Sequence, residues 1–200
     1  RRVNCALVHG IHMEKVGKAD CGRGAQDFTS AIPACDGLYT NEKNVPLGLN
    51  YADCTPLLFY DPVTSSIAVA HGGWRGTAGN IAGEAVRHLQ ESYGAEPKNI
   101  KAGIGPAIGK SVFEVEKDVV EAFEKIFDEE EMKRLSAPKG EGKILIDLPL
   151  ANRILMERAG ILPENIEDCG ICTYCRNDLF YSYRKAAGRT GRHMAVMMLK

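Results

Sequence analysis

The sequence has no long apolar run and no excess of charge of either sign. No stretch approaches the ~20 apolar residues that a membrane-spanning helix needs, and the first residues lack the apolar region of a signal peptide. Acidic and basic residues number 26 and 25, so the basic patch that nucleic acid or a membrane surface would require is missing. We therefore expect a cytoplasmic monomer that binds neither nucleic acid nor a membrane.

Histidine is scarce, and cysteine is present in an odd number. The five histidines are too few for a blue-copper centre together with a trinuclear cluster, which excludes a multicopper oxidase built from this single chain. The seven cysteines cannot all pair, and a chain of this length does not depend on a disulfide framework. We expect reduced thiols, some of which are available for metal binding or catalysis.

Apolar residues make up 44% of the sequence, enough for a core without disulfides. Strands are predicted at residues 3–8, 37–40, 47–52, 56–60, 67–71, 100–104, 144–146, 166–173 and 193–199, and helices at 77–93, 115–135 and 149–159. This order predicts a mixed α/β (α+β) fold of sheet layers flanked by helices, in a single domain over residues 1–200. Because the chain opens inside a strand without Met, we expect N-terminal residues of the full-length protein to be missing.

Two reactive side chains flank one predicted hairpin. Cys54 precedes the strand at 56–60, and His71 ends the strand at 67–71. An antiparallel hairpin would bring both residues to the same edge of the sheet. The pair suits either a Cys nucleophile activated by a His base or the thiolate and imidazole ligands of a metal ion.

His9 offers a third ligand, since it ends the first predicted strand and precedes Gly10. Two imidazoles and one thiolate with an open fourth position are the donor set of a catalytic zinc site, whereas a structural site has four protein ligands. A lone Cys more often fills a core, and a lone His more often forms ordinary hydrogen bonds. Spacing alone leaves the choice open.

Several motifs together resemble the YfiH family, whose members are called laccase domain proteins, peptidoglycan editing factors and purine nucleoside phosphorylases. They are VHG at 8–10, ADCTPLLFYDP at 52–62, HGGWRG at 71–76, GIGPAIG at 103–109, and CTYCRNDLFYSYRK with TGRHMAV at 172–196. The motifs occur in order along nearly the whole chain. Leu7 and Gly72 stand where the family commonly has Gln and Ala, which concerns the shape of the pocket rather than its ligands.

The resemblance implies a zinc ion bound by His9, Cys54 and His71, and copper is chemically compatible with the same donors. It implies phosphorolysis of adenosine, inosine and S-methyl-5′-thioadenosine, with adenosine deamination as a side activity. Purine nucleoside and phosphate are then the small-molecule partners. Two alternatives stay open: a cysteine hydrolase or amidase that edits peptidoglycan precursors with Cys54 as nucleophile, and a metal-binding interaction protein without turnover.

Phosphorolysis needs an anion site, and the segment HGGWRGTAGN at 71–80 is a candidate for it. Its glycines permit close backbone approach, its N–H groups lead into a predicted helix, and Arg75 and Thr77 add donors. Arg75 is also a catalytic candidate. The simpler interpretation is that the glycines form an ordinary turn and that Arg75 belongs to an ion pair.

Four other residues are candidates for the same site. Asp36 and Asp53 are catalytic candidates, either by orienting a ligand imidazole or by donating a proton to the leaving base. Tyr181 and Arg184 are candidates because the segment Tyr181, Ser182, Tyr183 and Arg184 resembles the family's FSYR motif, in which the aromatic rings could stack on a purine and Arg184 could bind phosphate. Turn formation by the aspartates and simple packing of the tyrosine are the alternatives.

Two further motifs have no assigned place in this chemistry. Cys169, Cys172 and Cys175 form C-x₂-C-x₂-C, but in a strand at 166–173 the first two thiols would point to opposite faces, which favours plain reduced thiols over a metal cluster. The segment GIGPAIG lacks the GK[ST] sequence of a Walker loop, and we expect a tight loop near the site.

Overall fold

The computed structural model describes residues 1–140 and 142–200. The strands in these two ranges are β1 (Val3–Asn4), β2 (Met13–Lys15), β3 (Gly37–Thr40), β4 (Leu47–Tyr51), β5 (Thr55–Asp61), β6 (Ser66–Gly72), β7 (Lys101–Ile104), β8 (Glu114–Val115), β9 (Ser136–Gly140), β10 (Lys143–Ile146), β11 (Ile166–Asp168) and β12 (His193–Met197). The helices there are α1 (Trp74–Ala78), α2 (Ile81–Tyr93), α3 (Lys117–Glu124), α4 (Glu129–Leu135) and α5 (Leu148–Arg158).

A six-stranded mixed sheet forms the centre of the molecule, with the strand order β11-β7-β5-β6-β3-β2. Its middle strand β6 is buried at every position, which explains its nearly continuous apolar sequence, since a strand covered on both faces has no polar side. The β5–β6 hairpin is antiparallel and pairs Thr55 with Gly72 and Pro56 with His71. The predicted hairpin is therefore present, with one end formed by Cys54 and His71.

The central sheet separates two apolar cores. Ala68 and Ala70 of β6 face a core shared with α2 and α5, while Ile67 and Val69 face a second core shared with a small sheet of order β1-β4-β12. A third sheet, of order β8-β10-β9, completes the described part. This arrangement of sheet layers with helices confirms the predicted mixed α/β fold.

Two predicted helices are each divided in two. The helix predicted at 77–93 is interrupted because Asn80 adopts a left-handed conformation, with φ of 65°, and accepts a hydrogen bond from the Gly83 N–H at the start of α2. The helix predicted at 115–135 is interrupted at Asp128, which forms a capping box with Glu131. A polar residue that caps the backbone competes with helix continuation in both places.

The strand predicted at 166–173 was too long. Strand β11 ends at Asp168, and Gly170 follows with φ of 65°, a conformation that ends regular extended structure. Cys172 returns to the sheet through an isolated bridge with Ala107. Strands β2, β8 and β9 were not predicted, because each is short or polar.

No helix within residues 1–140 and 142–200 combines the length and the apolar character needed to cross a bilayer.

Candidate metal centre and the cavity around it

Three side chains with metal-binding atoms meet at one end of the β5–β6 hairpin. Cys54 lies directly before β5, His71 lies in β6, and His9 lies in the bend that follows β1. One ligand atom of each lies within 4.8 Å of the other two. The structure thus brings the three predicted residues together at the ends of these strands.

A single carboxylate, that of Asp36, holds the bend that carries His9. The N–H groups of Val8, His9 and Gly10 donate to its two oxygens, at 3.3, 2.9 and 2.7 Å. His9 itself has φ of 62°, a conformation that costs energy for a residue other than glycine. Three charge-assisted hydrogen bonds offset that cost and fix where the His9 ring lies.

Asp36 also orients His71. Its side chain lies 3.1 Å from Nδ1 of His71, and its backbone carbonyl accepts the His71 N–H at 2.7 Å. Nδ1 is thereby occupied, and Nε2 is the remaining ring nitrogen. A carboxylate behind an imidazole is the arrangement that fixes the tautomer and raises the basicity of a metal ligand.

Two of the three candidate ligands, Cys54 and His71, have pKa values that favour their charged forms. Burial alone would raise the pKa of the Cys54 thiol, but hydrogen bonds and charge from His71 and His9 lower it to about 6. Burial alone would lower the pKa of His71, but hydrogen bonds with Asp36 and Cys54 raise it to about 9. Burial acts to raise the pKa of Asp36 as well, yet the bonds from His71 and the backbone lower it overall. At neutral pH a thiolate therefore faces an imidazolium.

The space between the three ligands suits a metal ion. Gly73 lies against all of them, and a Cβ at this position would be 3.3 Å from Sγ of Cys54, 3.4 Å from Cδ2 of His9 and 3.5 Å from Cε1 of His71. Two imidazoles and one thiolate are donors that both zinc and copper accept. In the described ranges of the chain, no second group of three His, Cys, Asp or Glu side chains meets the same distance criterion.

The trio opens into a cavity of about 470 Å³. Aromatic rings and guanidinium groups contribute to the lining of this cavity. The residues that carry them are Trp74, Phe113, Tyr183, Arg75, Arg184 and Arg192. The volume lies within the range of small-molecule sites, and a few polar groups on a largely apolar lining are typical of them.

Arg75 supplies positive charge to this cavity. Its guanidinium stacks on the ring of Trp74, 4.1 Å from the centroid. Across residues 1–140 and 142–200, no carboxylate lies within 4.0 Å of it. An arginine that faces a cavity without an acidic partner keeps its donors for an anionic ligand.

Asp53 links the side of the cavity that carries the candidate ligands to residues 173–184, near the end of the chain. Its carboxylate accepts hydrogen bonds from the Thr173 hydroxyl at 2.6 Å, the Ser182 hydroxyl at 3.0 Å and the Arg184 N–H at 2.7 Å. Asp53 has φ of 81°, which Asp tolerates better than most residues. The side chain that follows in sequence is the ligand Cys54, so this network fixes one cavity wall relative to the ligands.

Not every predicted site residue reaches the cavity. Thr77 is fully buried, and its hydroxyl is hydrogen-bonded to Asn152 rather than directed at the cavity. Tyr181 is half exposed and lies parallel to the ring of His193, outside the lining. Asp36 lies behind the ligands, whereas Asp53, Arg75 and Arg184 do line the cavity.

Several lining residues were not among the predicted site residues. Trp74 adjoins the predicted Arg75, so the neighbouring sequence carried a usable signal, whereas Tyr183 already belongs to the FSYR-like segment whose rings are expected to stack on a purine. Phe113 and Arg192 come from loops far from the ligand segments in sequence. No periodic pattern marks them, and only the tertiary fold brings them to the site.

Comparisons with known proteins identify relatives of this chain. A family model described as multi-copper polyphenol oxidoreductase laccase matches residues 1–200. Purine nucleoside phosphorylase YlmD of Bacillus subtilis (strain 168) is 39% identical over 192 residues, which cover 96% of this chain and 68% of that protein. The protein of the same name from Geobacillus stearothermophilus is 42% identical over 199 residues, covering 98% of this chain and 72% of that one.

A solved structure has the same fold. The crystal structure of Bacillus licheniformis hypothetical protein YfiH superposes with a TM-score of 0.96 at 38% identity, covering all of this chain and 74% of that one. The family match extends over the entire sequence, and the relatives are similar over nearly all of it. The chain therefore belongs to the YfiH family, the one described as multi-copper polyphenol oxidoreductase laccase.

Proposed function

We propose that the chain is a zinc-dependent purine nucleoside phosphorylase that acts on adenosine, inosine and S-methyl-5′-thioadenosine and deaminates adenosine as a side activity. One observation carries the proposal: a single cavity joins the His9, Cys54 and His71 trio to the positive charge of Arg75. Relatives that bear the name purine nucleoside phosphorylase cover the same residues.

The cavity has a suitable surface for the nucleoside. Trp74, Phe113 and Tyr183 contribute aromatic rings to its lining, and planar bases stack on such rings whatever their exocyclic groups. A lining that selects by stacking accepts several purines. This supports a substrate range that includes both adenosine and inosine, which differ only at C6 of the base.

Phosphorolysis places an anion beside the sugar. The bond from C1′ to the base nitrogen breaks, a bond from C1′ to a phosphate oxygen forms, and the base leaves with the electron pair before it takes up a proton. We propose that Arg75 holds the phosphate and that Arg184 assists. Arg184 uses one donor on the carbonyl of Glu114, at 2.7 Å, and has others left.

The chain's own residues set the position of the reacting groups. A zinc ion bound by the trio would supply Lewis acidity and activate water, which is the chemistry that deamination of adenine requires. Asp36 acts by holding His9 and His71 in place, because its carboxylate is already fully engaged with them. Asp53 acts indirectly, because it accepts the Arg184 N–H and so holds in place the cavity wall that carries Arg184. We expect Thr77 to stabilise α1 through Asn152 rather than to touch phosphate.

A cysteine hydrolase is the second candidate. The observation that favours it is the chain of contacts from Cys54 to His71 to Asp36, with a thiol pKa of about 6, which is the pattern of an activated nucleophile, its base and an orienting acid. Peptidoglycan precursors would then be its substrates. His9 beside the same sulfur argues for a ligand role, since a nucleophile needs only one imidazole.

The two candidates separate in one assay. Metal-analysed protein is incubated with adenosine, with and without phosphate, and adenine, ribose 1-phosphate and inosine are followed. Adenine that appears only with phosphate supports phosphorolysis, and no turnover of any nucleoside would contradict it. Cys54→Ser should remove both metal and activity, with Cys21→Ser as the matched control. Covalent capture of Cys54 by an acyl substrate would favour the hydrolase.

Arg75→Ala tests the phosphate role. We expect the apparent KM for phosphate to rise at least about tenfold, equivalent to the loss of one charge-assisted contact, with little change in metal content. Arg87→Ala is the matched control, because Arg87 pairs with Glu84 and Glu91 on the exposed side of α2. An unchanged KM for phosphate in Arg75→Ala would exclude this assignment.

A further inference from the structure

Three free cysteines that are not among the candidate metal ligands lie close together in sequence after β11. Cys172 is partly buried, whereas Cys169 and Cys175 are exposed. Because β11 ends at Asp168, the alternation of a strand does not govern the directions of these thiols. A hydrogen bond from the Arg176 N–H to the Cys172 carbonyl, at 2.9 Å, closes one helical turn. That turn brings Cys172 and Cys175 to the same side.

The Cys172 sulfur is surrounded by backbone donors. It accepts the Gly109 N–H at 3.2 Å and the Cys175 N–H at 3.4 Å. A Cβ on Gly109 would lie 3.2 Å from Cβ and 3.3 Å from Sγ of Cys172, so the last glycine of GIGPAIG makes room for this sulfur. Two N–H groups directed at one sulfur stabilise its thiolate.

The two cysteines differ in character. Burial alone would raise the pKa of Cys172, but the N–H groups of Cys175 and Gly109 lower it. Its interaction with the Cys172 side chain is the main reason why the pKa of Cys175 is raised. Lys185 adds a positive charge nearby, with Nζ 3.2 Å from the Tyr174 carbonyl. One thiol is poised to attack, and the neighbouring thiol of the same turn, whose N–H donates to the Cys172 sulfur, is placed to follow.

We propose that Cys172 and Cys175 form a redox-active dithiol, with Cys172 as the attacking and Cys175 as the resolving thiol, and that it exchanges with low-molecular-weight disulfides.

The exchange balances in two steps. The Cys172 thiolate attacks one sulfur of the small disulfide, so that a bond from Sγ to that sulfur forms, the small S–S bond breaks, and one thiolate leaves and takes up a proton from water. Cys175 then loses its proton and attacks Sγ of Cys172, which expels the second small thiolate. Two protein thiols are oxidised to one disulfide, and the small disulfide is reduced to two thiols.

The dithiol is joined to the cavity through its backbone. Thr173, the residue after Cys172, donates its N–H to the Ala107 carbonyl at 2.9 Å and its hydroxyl to Asp53 at 2.6 Å. Ile108, which lies between Ala107 and Gly109, lines the cavity. A Cys172–Cys175 disulfide would therefore constrain a loop that lines the cavity proposed to bind the substrate.

The test uses the 200-residue chain with its bound metal. The protein is equilibrated with mixtures of reduced and oxidised glutathione, remaining thiols are alkylated, and peptides are mapped by mass spectrometry. We expect one peptide that contains Cys172 and Cys175 to lose two hydrogen atoms as the buffer becomes oxidising, while Cys169 stays alkylated. Alkylation of both residues at the most oxidising ratio, or a disulfide to Cys169, would overturn the proposal.

Two serine variants separate the roles. In Cys175→Ser, glutathione should stay attached to Cys172, and it should attach at least about threefold faster than to Cys169, given the lower pKa of Cys172 and the partial loss of nucleophilicity that accompanies it. In Cys172→Ser, Cys175 should form no intramolecular disulfide. Cys169→Ser is the control and should form the same disulfide. Equal labelling of Cys169 and Cys172 in the first variant would show that Cys172 is an ordinary exposed thiol. Melting curves under reducing conditions verify that each variant is folded.

Discussion

At the scale of single residues, Asp36 has the largest share in building the site. One carboxylate accepts N–H groups from three successive residues of the His9 bend and contacts Nδ1 of His71. The strand-end pattern predicted the three ligands from sequence, because hairpin ends follow from turn and apolar signals. The sequence also marked Asp36, at the start of a predicted strand, as a residue that could orient a ligand imidazole. Its bonds to residues 8–10 depend on the tertiary fold and were not predictable.

Replacing Asp36 should weaken metal binding. In Asp36→Asn the amide cannot accept all the bonds that the carboxylate accepts, so both imidazoles lose their orientation, and we expect metal affinity to fall about 10- to 100-fold. Chelator competition measures this directly. Asp61→Asn is the matched control, since Asp61 is equally buried and accepts turn N–H groups at the opposite end of the β5–β6 hairpin. Equal metal affinity in the two variants would contradict the role of Asp36.

Protonation of Cys54 and His71 should affect the free energy of unfolding of the metal-free chain. The pKa of His71 is raised from 6.5 to about 9, so its contribution is fully present below pH 6.5 and is lost as pH rises through about 9. The pKa of Cys54 is lowered from 9.0 to about 6, so its contribution is present above pH 9.0 and is lost as pH falls through about 6. Between pH 6.5 and 9 one contribution falls while the other rises, so the free energy of unfolding should stay nearly constant there.

Urea unfolding of metal-free and metal-loaded protein across pH 6 to 9 checks this expectation, a range set by the two pKa values. A metal-bound imidazole is neutral, so the metal-loaded chain should not lose stability as pH rises through about 9, and metal uptake at neutral pH should release a proton. A metal-free chain whose free energy of unfolding falls steadily from pH 6.5 to 9 would show that Cys54 does not titrate as the partner of His71.

At the scale of elements, the hairpin was predictable and the helix boundaries were not. Strands β5 and β6 are apolar and separated by Asp61-Pro62, signals that are local in sequence. The periodicity of residues 77–93 continues through the break at Asn80, because the same face is apolar on both sides of it. A left-handed residue that caps the next helix leaves no trace in that periodicity.

Asn80 should contribute to stability through both its conformation and its cap. Asn80→Ala removes the acceptor for the Gly83 N–H and places a Cβ residue without a local hydrogen bond at φ of 65°, and we expect a loss of about 1–2 kcal/mol. Asn80→Gly also lacks the cap but adopts this φ freely, so its loss should be only about 0.5 kcal/mol. Thermal or urea unfolding distinguishes the two. A larger loss for glycine than for alanine would refute this account.

At the scale of the whole molecule, the cavity is assembled from distant parts of the chain. The ligand trio lies within the first 71 residues, while Tyr183, Arg184 and Arg192 come from the last segment. Asp53 connects the two through Thr173, Ser182 and Arg184. Sequence patterns report local structure. They therefore identified the candidate ligands, but they could not show that Arg192 lines the same cavity.

Loss of the Asp53 carboxylate should loosen the last segment without emptying the metal site. Asn tolerates a φ of 81°, so Asp53→Asn keeps the backbone but replaces one acceptor oxygen with a donor. We expect faster amide hydrogen exchange in residues 172–192 and unchanged metal content. Asp178→Asn lies in the same segment, where Asp178 pairs only with exposed Arg176, and it should leave exchange unchanged. Equal protection in both variants would argue against this connection.

The order of the site residues along the chain has a consequence for synthesis. His71 completes the ligand set, and Arg192 follows 121 residues later (192 minus 71). At about 5–20 residues per second, the ribosome needs roughly 6–24 s to reach it. During most of that interval the three candidate ligands and Arg75 have been made, whereas Arg184 and Arg192 have not. The candidate ligands of the nascent chain are therefore complete before the arginines that close the opposite end of the chain onto the same cavity.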